Sequence, residues 1–170
     1  MNISTSSGQK IAPCIWFDTQ GEEAVAHYVS VFPNSRITLV SHCTEAGFEH
    51  HGRPAGSVMA IGFELCGQPF TALNGGLLFK LNAAMSLIIY CDTQEEIDHY
   101  WARLIEGGDP ACQACGWLKD RFGLSWQIVP SNLLALVSDP ATADQVMKDL
   151  HTMKKLDIRR LQQAAESKLT

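Results

Sequence analysis

The 170-residue chain has little of what would carry it into a bilayer or onto nucleic acid. Its longest mainly apolar run, residues 83–91, is far short of the ~20 that a membrane-spanning helix needs. Its charge is sparse and of the wrong sign for a polyanion. Lys and Arg number 13 against 18 Asp and Glu, a net −5, and the pI is about 5.6. No basic surface of the kind that neutralises phosphates is expected. The opening MNISTSSGQK has no apolar stretch of the secretory kind. Nucleic acid and membrane are therefore not expected partners, and a cytoplasmic protein is. With 46% apolar and only 18% charged residues, a packed core is within reach and general disorder is excluded. Residues 1–9 are the exception, expected to be extended or disordered.

Metal and redox signatures are equally thin. Six cysteines stand at 14, 43, 66, 91, 112 and 115. Cys112 and Cys115 form one CxxC, but no second CxxC and no HxxxH completes a zinc site. Gly116-Trp117 follows it, where a redox CxxC usually opens a helix. Reduced structural thiols, buried in apolar strands, are expected. His27 and His99 fall on helices, His42, His50 and His51 border a long loop, and His151 lies near the end. None has a nucleophile and carboxylate at a recognisable spacing, so no triad is predicted.

What is there is a repeated grammar. Short apolar 11–17 reads as a strand; Asp18-Thr19 with Glu22 and Glu23 then starts a helix with an Ala24, Val25, Tyr28, Val31, Phe32 stripe. Pro33-Asn34-Ser35 stops it, 36–40 is a strand, and 43–57 is a loop. Residues 57–65 and 69–73 form a hairpin around Cys66-Gly67-Gln68. The second half repeats this as strand 84–91, a helix from Asp92-Thr93 to about Glu106, and a hairpin of 116–119 and 124–129 around Gly123. Phe17-Asp18-Thr19-Gln20 recurs as Cys91-Asp92-Thr93-Gln94 74 positions on, His27-Tyr28 as His99-Tyr100 72 on, and Gly67 as Gly123 only 56 on. The shrinking offset predicts about 16 extra residues in the first half, naturally placed in the 43–57 loop. The fold class is thus α+β, with tandem βαβββ modules at about 10–76 and 83–130 inside a domain spanning 10–130. A helical tail, 131–170, follows and packs on the domain or on a partner; Asp139-Pro140 and Asp157 are its expected helix starts.

These stretches carry a resemblance. Pro13-Cys14-Ile15-Trp16-Phe17 with Glu22-Glu23-Ala24, Phe32-Pro33-Asn34-Ser35, Ala72-Leu73-Asn74-Gly75-Gly76, and Cys115 to Asp120 with Phe122 to Pro130 are similar to the PhnB-like branch of the vicinal oxygen chelate superfamily. That superfamily includes glyoxalases, extradiol dioxygenases and bleomycin-type resistance proteins. Members of this branch carry the label 3-demethylubiquinone-9 3-methyltransferase. The resemblance implies two modules forming open, glyoxalase-like, cup-shaped sheets, a site inside the cup, and homodimers.

The resemblance also implies where metal-dependent members hold their ion: on the first strand of each half, and four residues after each hairpin glycine. These points fall on Pro13 (Ile11 if the loop is counted differently), Thr71, Ser86 and Gln127. Proline has no side-chain donor, and the others offer only neutral hydroxyl and amide oxygens, where a divalent ion wants imidazole and carboxylate. No metal and no other cofactor is expected. Strand alternation adds Ile15 and Phe17 to Pro13, Leu73 to Thr71, Ile88 and Tyr90 to Ser86, and Ser125 and Val129 to Gln127. Trp117 and Asn74, near hairpin ends, reach the rim, whereas Trp16 and Trp126 face the helices. The expected function is binding of a small apolar or aromatic molecule in a metal-free cup; the same positions could instead fill a core or dimer seam. A superfamily enzyme working through Tyr90 and Gln127 is the alternative, and the residues leave open whether any reaction is catalysed. Methyl transfer is not expected, because Asn74-Gly75-Gly76 ends a hairpin rather than opening a helix.

Overall fold

The computed structural model describes residues 10–167, with 50 and 51 described by their backbone. The expectation for residues 1–9 lies outside the described residues. The chain falls into two units, divided after Leu81.

The first unit runs β1 (Cys14–Phe17), α1 (Gly21–Val31), β2 (Arg36–His42), a single-turn α2 (Phe48–His51), β3 (Val58–Leu65) and β4 (Gln68–Asn74). Its sheet order is β1-β4-β3-β2, with β1 parallel to β4 and the β2-β3-β4 ladder antiparallel. The β3-β4 hairpin closes through Cys66 and Gly67, whose φ values of 48° and 80° suit the two-residue turn that matches strand twist. Helix α1 lays its Ala24, Val25, Tyr28 and Val31 stripe on one face of this sheet. Ile61, Phe63, Phe70 and Ala72 complete that core, and the Phe63 and Phe70 rings stack 5.4 Å apart.

The second unit runs β5 (Leu87–Cys91), α3 (Gln94–Leu104), a 3-10 turn at Pro110–Cys112, β6 (Trp117–Lys119) and β7 (Ser125–Pro130), then α4 (Leu133–Ser138), α5 (Ala143–Leu150) and α6 (Ile158–Glu166). Its sheet has three strands, ordered β5-β7-β6, again with the first strand parallel to the last. Thr93 and Glu96 close a reciprocal capping box at the start of α3. His27 against Tyr28 and His99 against Tyr100 repeat as ring pairs on α1 and α3, 6.0 and 5.2 Å between centroids. The α+β duplicated plan is therefore as expected, with one correction. The second module lacks a counterpart of β2, so the extra length of the first half is that edge strand as well as the loop after it.

The tail packs with the second unit. Val146, Leu150, Met153, Leu156, Leu161, Ala164 and Ala165 form a core that also buries Val129. The Cys115 and Gly116 N–H groups, in the turn leading into β6, each donate to the tail at 2.8 Å, to Met153 and Lys154 carbonyls. Gln94, on the first turn of α3, donates to the Leu156 carbonyl and accepts from the Ile158 N–H. Asp157 caps α6 as expected, taking the Arg160 N–H at 3.0 Å. Asp139 does not start α5; its carboxylate holds the Ala141 N–H at 2.9 Å in a local turn, and the helix begins at Ala143.

Candidate functional site

The register decides which side chains share a face, because a one-residue slip sends each to the opposite side. In the first unit Cys14 pairs with Thr71, Ile15 with Ala72, Trp16 with Leu73 and Phe17 with Asn74. Asn74 marks the helix side. It is 3% exposed, its Oδ1 accepts the Gly21 N–H at the start of α1 at 2.8 Å, and its Nδ2 donates to the Val58 carbonyl at 3.1 Å. Ile15 and Phe17 therefore lie under α1, buried, and Pro13 shares their phase; its carbonyl accepts the Thr71 N–H at 3.0 Å. These four positions correct the sequence reading: Asn74 is a brace rather than a rim residue, and Pro13, Ile15 and Phe17 belong to the helix side. The face away from α1 carries Cys14, Trp16, Thr71 and Leu73.

The same register corrects the position matched to Ser86. Thr71 and Gln127 are equivalent, as are their strand partners Cys14 and Ile88, so Ser86 matches Ala12. The expected Pro13 is one residue from Ala12: the offset between the units is 74 at the strand and 72 at the helix tyrosine, and Pro13 falls between the two.

Trp16, expected to anchor a helix, instead lies on the other face. Its Nε1–H donates to the Gly76 carbonyl at 2.8 Å, and Phe79 meets it edge-on at 4.9 Å. Its indole lies so close over Gly75 that a Cβ there would stand 2.2 Å from the ring. Gly75 is thus needed for close approach and Gly76 for its φ of 84°, and both N–H groups are engaged, Gly75 by the Phe17 carbonyl and Gly76 by that of Asp18.

In the second unit the expected phase holds. Trp126 is buried at 2%, with its Nε1–H donated to Asp120 Oδ2 at 2.8 Å. Asp120 Oδ1 also takes the Phe122 and Leu124 N–H groups at 2.9 and 3.0 Å, which shapes the hairpin around Gly123. The face away from α3 carries Ser86, Ile88, Tyr90, Gln127 and Trp117. Gln127, on the central strand, has Ile88 beside it on β5 and Trp117 beside it on β6. Its Nε2–H donates to Ser86 Oγ at 2.8 Å. Ile88 and Tyr90 are 46% and 62% exposed. Ser125 and Val129 share the phase but are buried, Val129 under the tail, so Ser125 leaves the set of accessible candidates. Lys119, which the sequence reading passed over, lies on this strip next to Ser125; its alternation with Trp117 was the available signal.

The thiols differ from expectation in part. Cys43 and Cys91 are buried, whereas Cys14 and Cys66 are exposed. Burial pushes Cys91 up to about 12, aided by the Glu96 and Asp92 carboxylates. Cys112 ends the 3-10 turn, Gln113 is extended and Ala114 bridges to Trp117. The Cys112 and Cys115 thiols are both free and half-buried. Among the described residues no group of three or more His, Cys, Asp or Glu side chains could hold a metal ion. No described helix is long and apolar enough to cross a membrane.

A family described as 3-demethylubiquinone-9 3-methyltransferase matches residues 9–129. The chain belongs to that family. Among solved structures, the chain is similar to "Putative 3-demethylubiquinone-9 3-methyltransferase, PhnB protein" of Bacillus cereus, at 33% identity and a TM-score of 0.62, over 72% of this chain and 99% of that one. It is also similar to protein PA1353 of Pseudomonas aeruginosa, at 20% identity and a TM-score of 0.53, over 71% of this chain and 96% of that one; this likeness is one of fold. No curated protein matches the chain. In this 3-demethylubiquinone-9 3-methyltransferase family member, the points at which the superfamily resemblance implies a metal ion fall on Ala12, Thr71, Ser86 and Gln127. A methyl group, two hydroxyls and an amide already bonded to one of them do not fit a divalent cation.

Proposed function

We propose that this protein binds a small, largely apolar or aromatic molecule, without a metal ion, on the sheet face carrying Gln127. The observation that carries the reading is the strip itself. A hydrogen-bonded Gln127–Ser86 pair sits where a cation ligand would be needed, flanked by half-buried Trp117 and by Ile88 and Tyr90, which are left in solvent. Apolar walls with a few placed polar groups are the usual make-up of a small-molecule site. Thr71, Leu73 and Trp16 give the first unit a comparable strip.

Methyl transfer, which the family description names, does not enter this reading, with S-adenosylmethionine as the donor to be tested. The glycine turn that such a cofactor would require free has both N–H groups bonded to strand-end carbonyls and one face filled by Trp16. The protein is further read as a cytoplasmic homodimer, which sedimentation of the purified chain checks.

A thermal-shift screen across quinones, phenols, aldehydes, phosphonates, S-adenosylmethionine and divalent metals tests the function, because a ligand selective for the folded state raises its stability. Stabilisation by quinones or phenols that is unchanged by a chelator is expected. Near-stoichiometric zinc, nickel, iron or manganese after chelator-free purification would overturn the reading, as would tight S-adenosylmethionine binding by calorimetry.

A further inference from the structure

No asparagine of the chain other than Asn74 precedes a glycine. Such a pair is chemically labile, because a glycine without a side chain lets its amide nitrogen reach the asparagine side chain. In this protein the fold engages each reacting part. The Gly75 N–H donates to the Phe17 carbonyl at 2.9 Å. The Asn74 amide is committed twice, with Oδ1 taking the Gly21 N–H at 2.8 Å and Nδ2 donating to the Val58 carbonyl at 3.1 Å. Asn74 is 3% exposed, and the Trp16 indole lies over Gly75, so solvent is kept from both. Asn34 offers the contrast. It precedes Ser35 in the turn between α1 and β2 and is exposed.

We propose that Asn74-Gly75 is a latent deamidation site, closed in the native fold and exposed when the C-terminal ends of β1 and β4 separate. On opening, the Gly75 nitrogen gives up its proton and bonds to Asn74 Cγ. The Cγ–Nδ2 bond breaks, and ammonia leaves with that proton, closing a five-membered imide. Solvent water then adds across one of the two imide C–N bonds. The product is either an aspartyl residue or an isoaspartyl one, whose main chain runs through the former side chain. The aspartyl product sets a carboxylate oxygen where Nδ2 donated, facing the Val58 carbonyl with no hydrogen to give. The isoaspartyl product loses the side-chain amide and lengthens the main chain by one carbon, which carries Gly75 away from Phe17 and Trp16. Helix α1 does not regain its brace in either case, so a transient opening leaves a permanent change. This chemistry needs no ligand on the Gln127 face.

The test incubates the full-length chain in mildly alkaline buffer, with and without guanidinium chloride at an unfolding concentration, and follows Asn34 and Asn74 by peptide mass mapping. Unfolded, Asn74 is expected to deamidate faster than Asn34. Folded, the order should reverse, with Asn74 slowed about thirtyfold or more. Hydrogen exchange at the Gly75 amide should give a protection factor within about threefold of that slowing, since one opening exposes both. Trp16→Ala removes the indole over Gly75 and its bond to the Gly76 carbonyl. It should raise the folded rate about fivefold or more and leave the unfolded rate unchanged. Should that variant not fold, Phe79→Ala, which takes the edge-on ring from Trp16, carries the same comparison. Chain deamidated in guanidinium and refolded should lose exchange protection at Gly21 and Ala24. Equal Asn74 rates in the folded and unfolded chain would overturn this assignment. So would a slowing that departs about tenfold from the Gly75 protection factor, or a refolded product whose α1 protection is intact.

Discussion

Removing the Asn74 side chain should unfasten α1 from its sheet. Asn74 is buried and makes two bonds of opposite sense, accepting from Gly21 N–H at 2.8 Å and donating to the Val58 carbonyl at 3.1 Å. Leaving a buried polar group unmet costs about 1–3 kcal/mol. Asn74→Ala leaves a donor and an acceptor behind. Val58 is only half-buried, so water partly repairs the carbonyl, and a total of about 2–4 kcal/mol is expected. At about 2–4 °C per kcal/mol for a chain of this size, the melting temperature should fall by roughly 4–16 °C. Asn74→Leu separates the causes. It refills the volume without restoring a bond, so it should lose about as much as Asn74→Ala; a void alone would predict recovery. Equilibrium urea unfolding at unchanged m-value gives the loss, and amide hydrogen exchange locates it at Gly21, Ala24 and Val25. The reasoning fails if Asn74→Leu unfolds at the wild-type urea concentration, or if exchange at Gly21 is no faster than before.

Gly75→Ala drives a methyl into the Trp16 ring; it should cost about 1–3 kcal/mol and alter the fluorescence of Trp16 as its bond to Gly76 breaks. Cys91, pushed up to about 12 by burial and by Glu96 and Asp92, should resist iodoacetamide in the native protein while exposed Cys14 and Cys66 react, as peptide mass mapping would show. The Asp98 carboxyl is held below its usual range by hydrogen bonds from Lys155 and Gln94, and that of Asp149 by Arg160. Both folded values are depressed, so this stabilisation is present above the unfolded carboxylate pKa near ~4 and disappears as pH falls through the lower folded values. Lys155→Met should therefore lessen the acid-side loss of tail protection measured by hydrogen exchange.

The elements were legible where local chemistry alone sets them. Thr93 and Glu96 announce a capping box, Cys66-Gly67 a tight turn, and Asp157 a helix start, and each is found. The phase of β5 and β7 was also legible, since hairpin spacing carries directly from Gly123 to Gln127. The phase of β1 was not. No hairpin glycine fixes it, the offset between the repeats drifts from 74 at the strand to 72 at the helix tyrosine, and a position taken between the two is one residue out, which exchanged Trp16 for Ile15 and Phe17. The absent partner of β2 was hidden for a related reason: an offset reveals how many residues are missing but not whether they are loop or strand. Asp139-Pro140 has the form of a helix start, yet the aspartate bonds Ala141 instead, a competition that side-chain geometry decides.

The tail changes what a shortened version of this protein would be. The family match ends at residue 129, and the Bacillus cereus chain is 99% accounted for by 72% of this one. The segment that holds the Cys115-Gly116 turn, shields Val129 and clasps Gln94 lies beyond that family match. Trimming the chain at residue 129 would strip backbone acceptors and an apolar roof from the second unit.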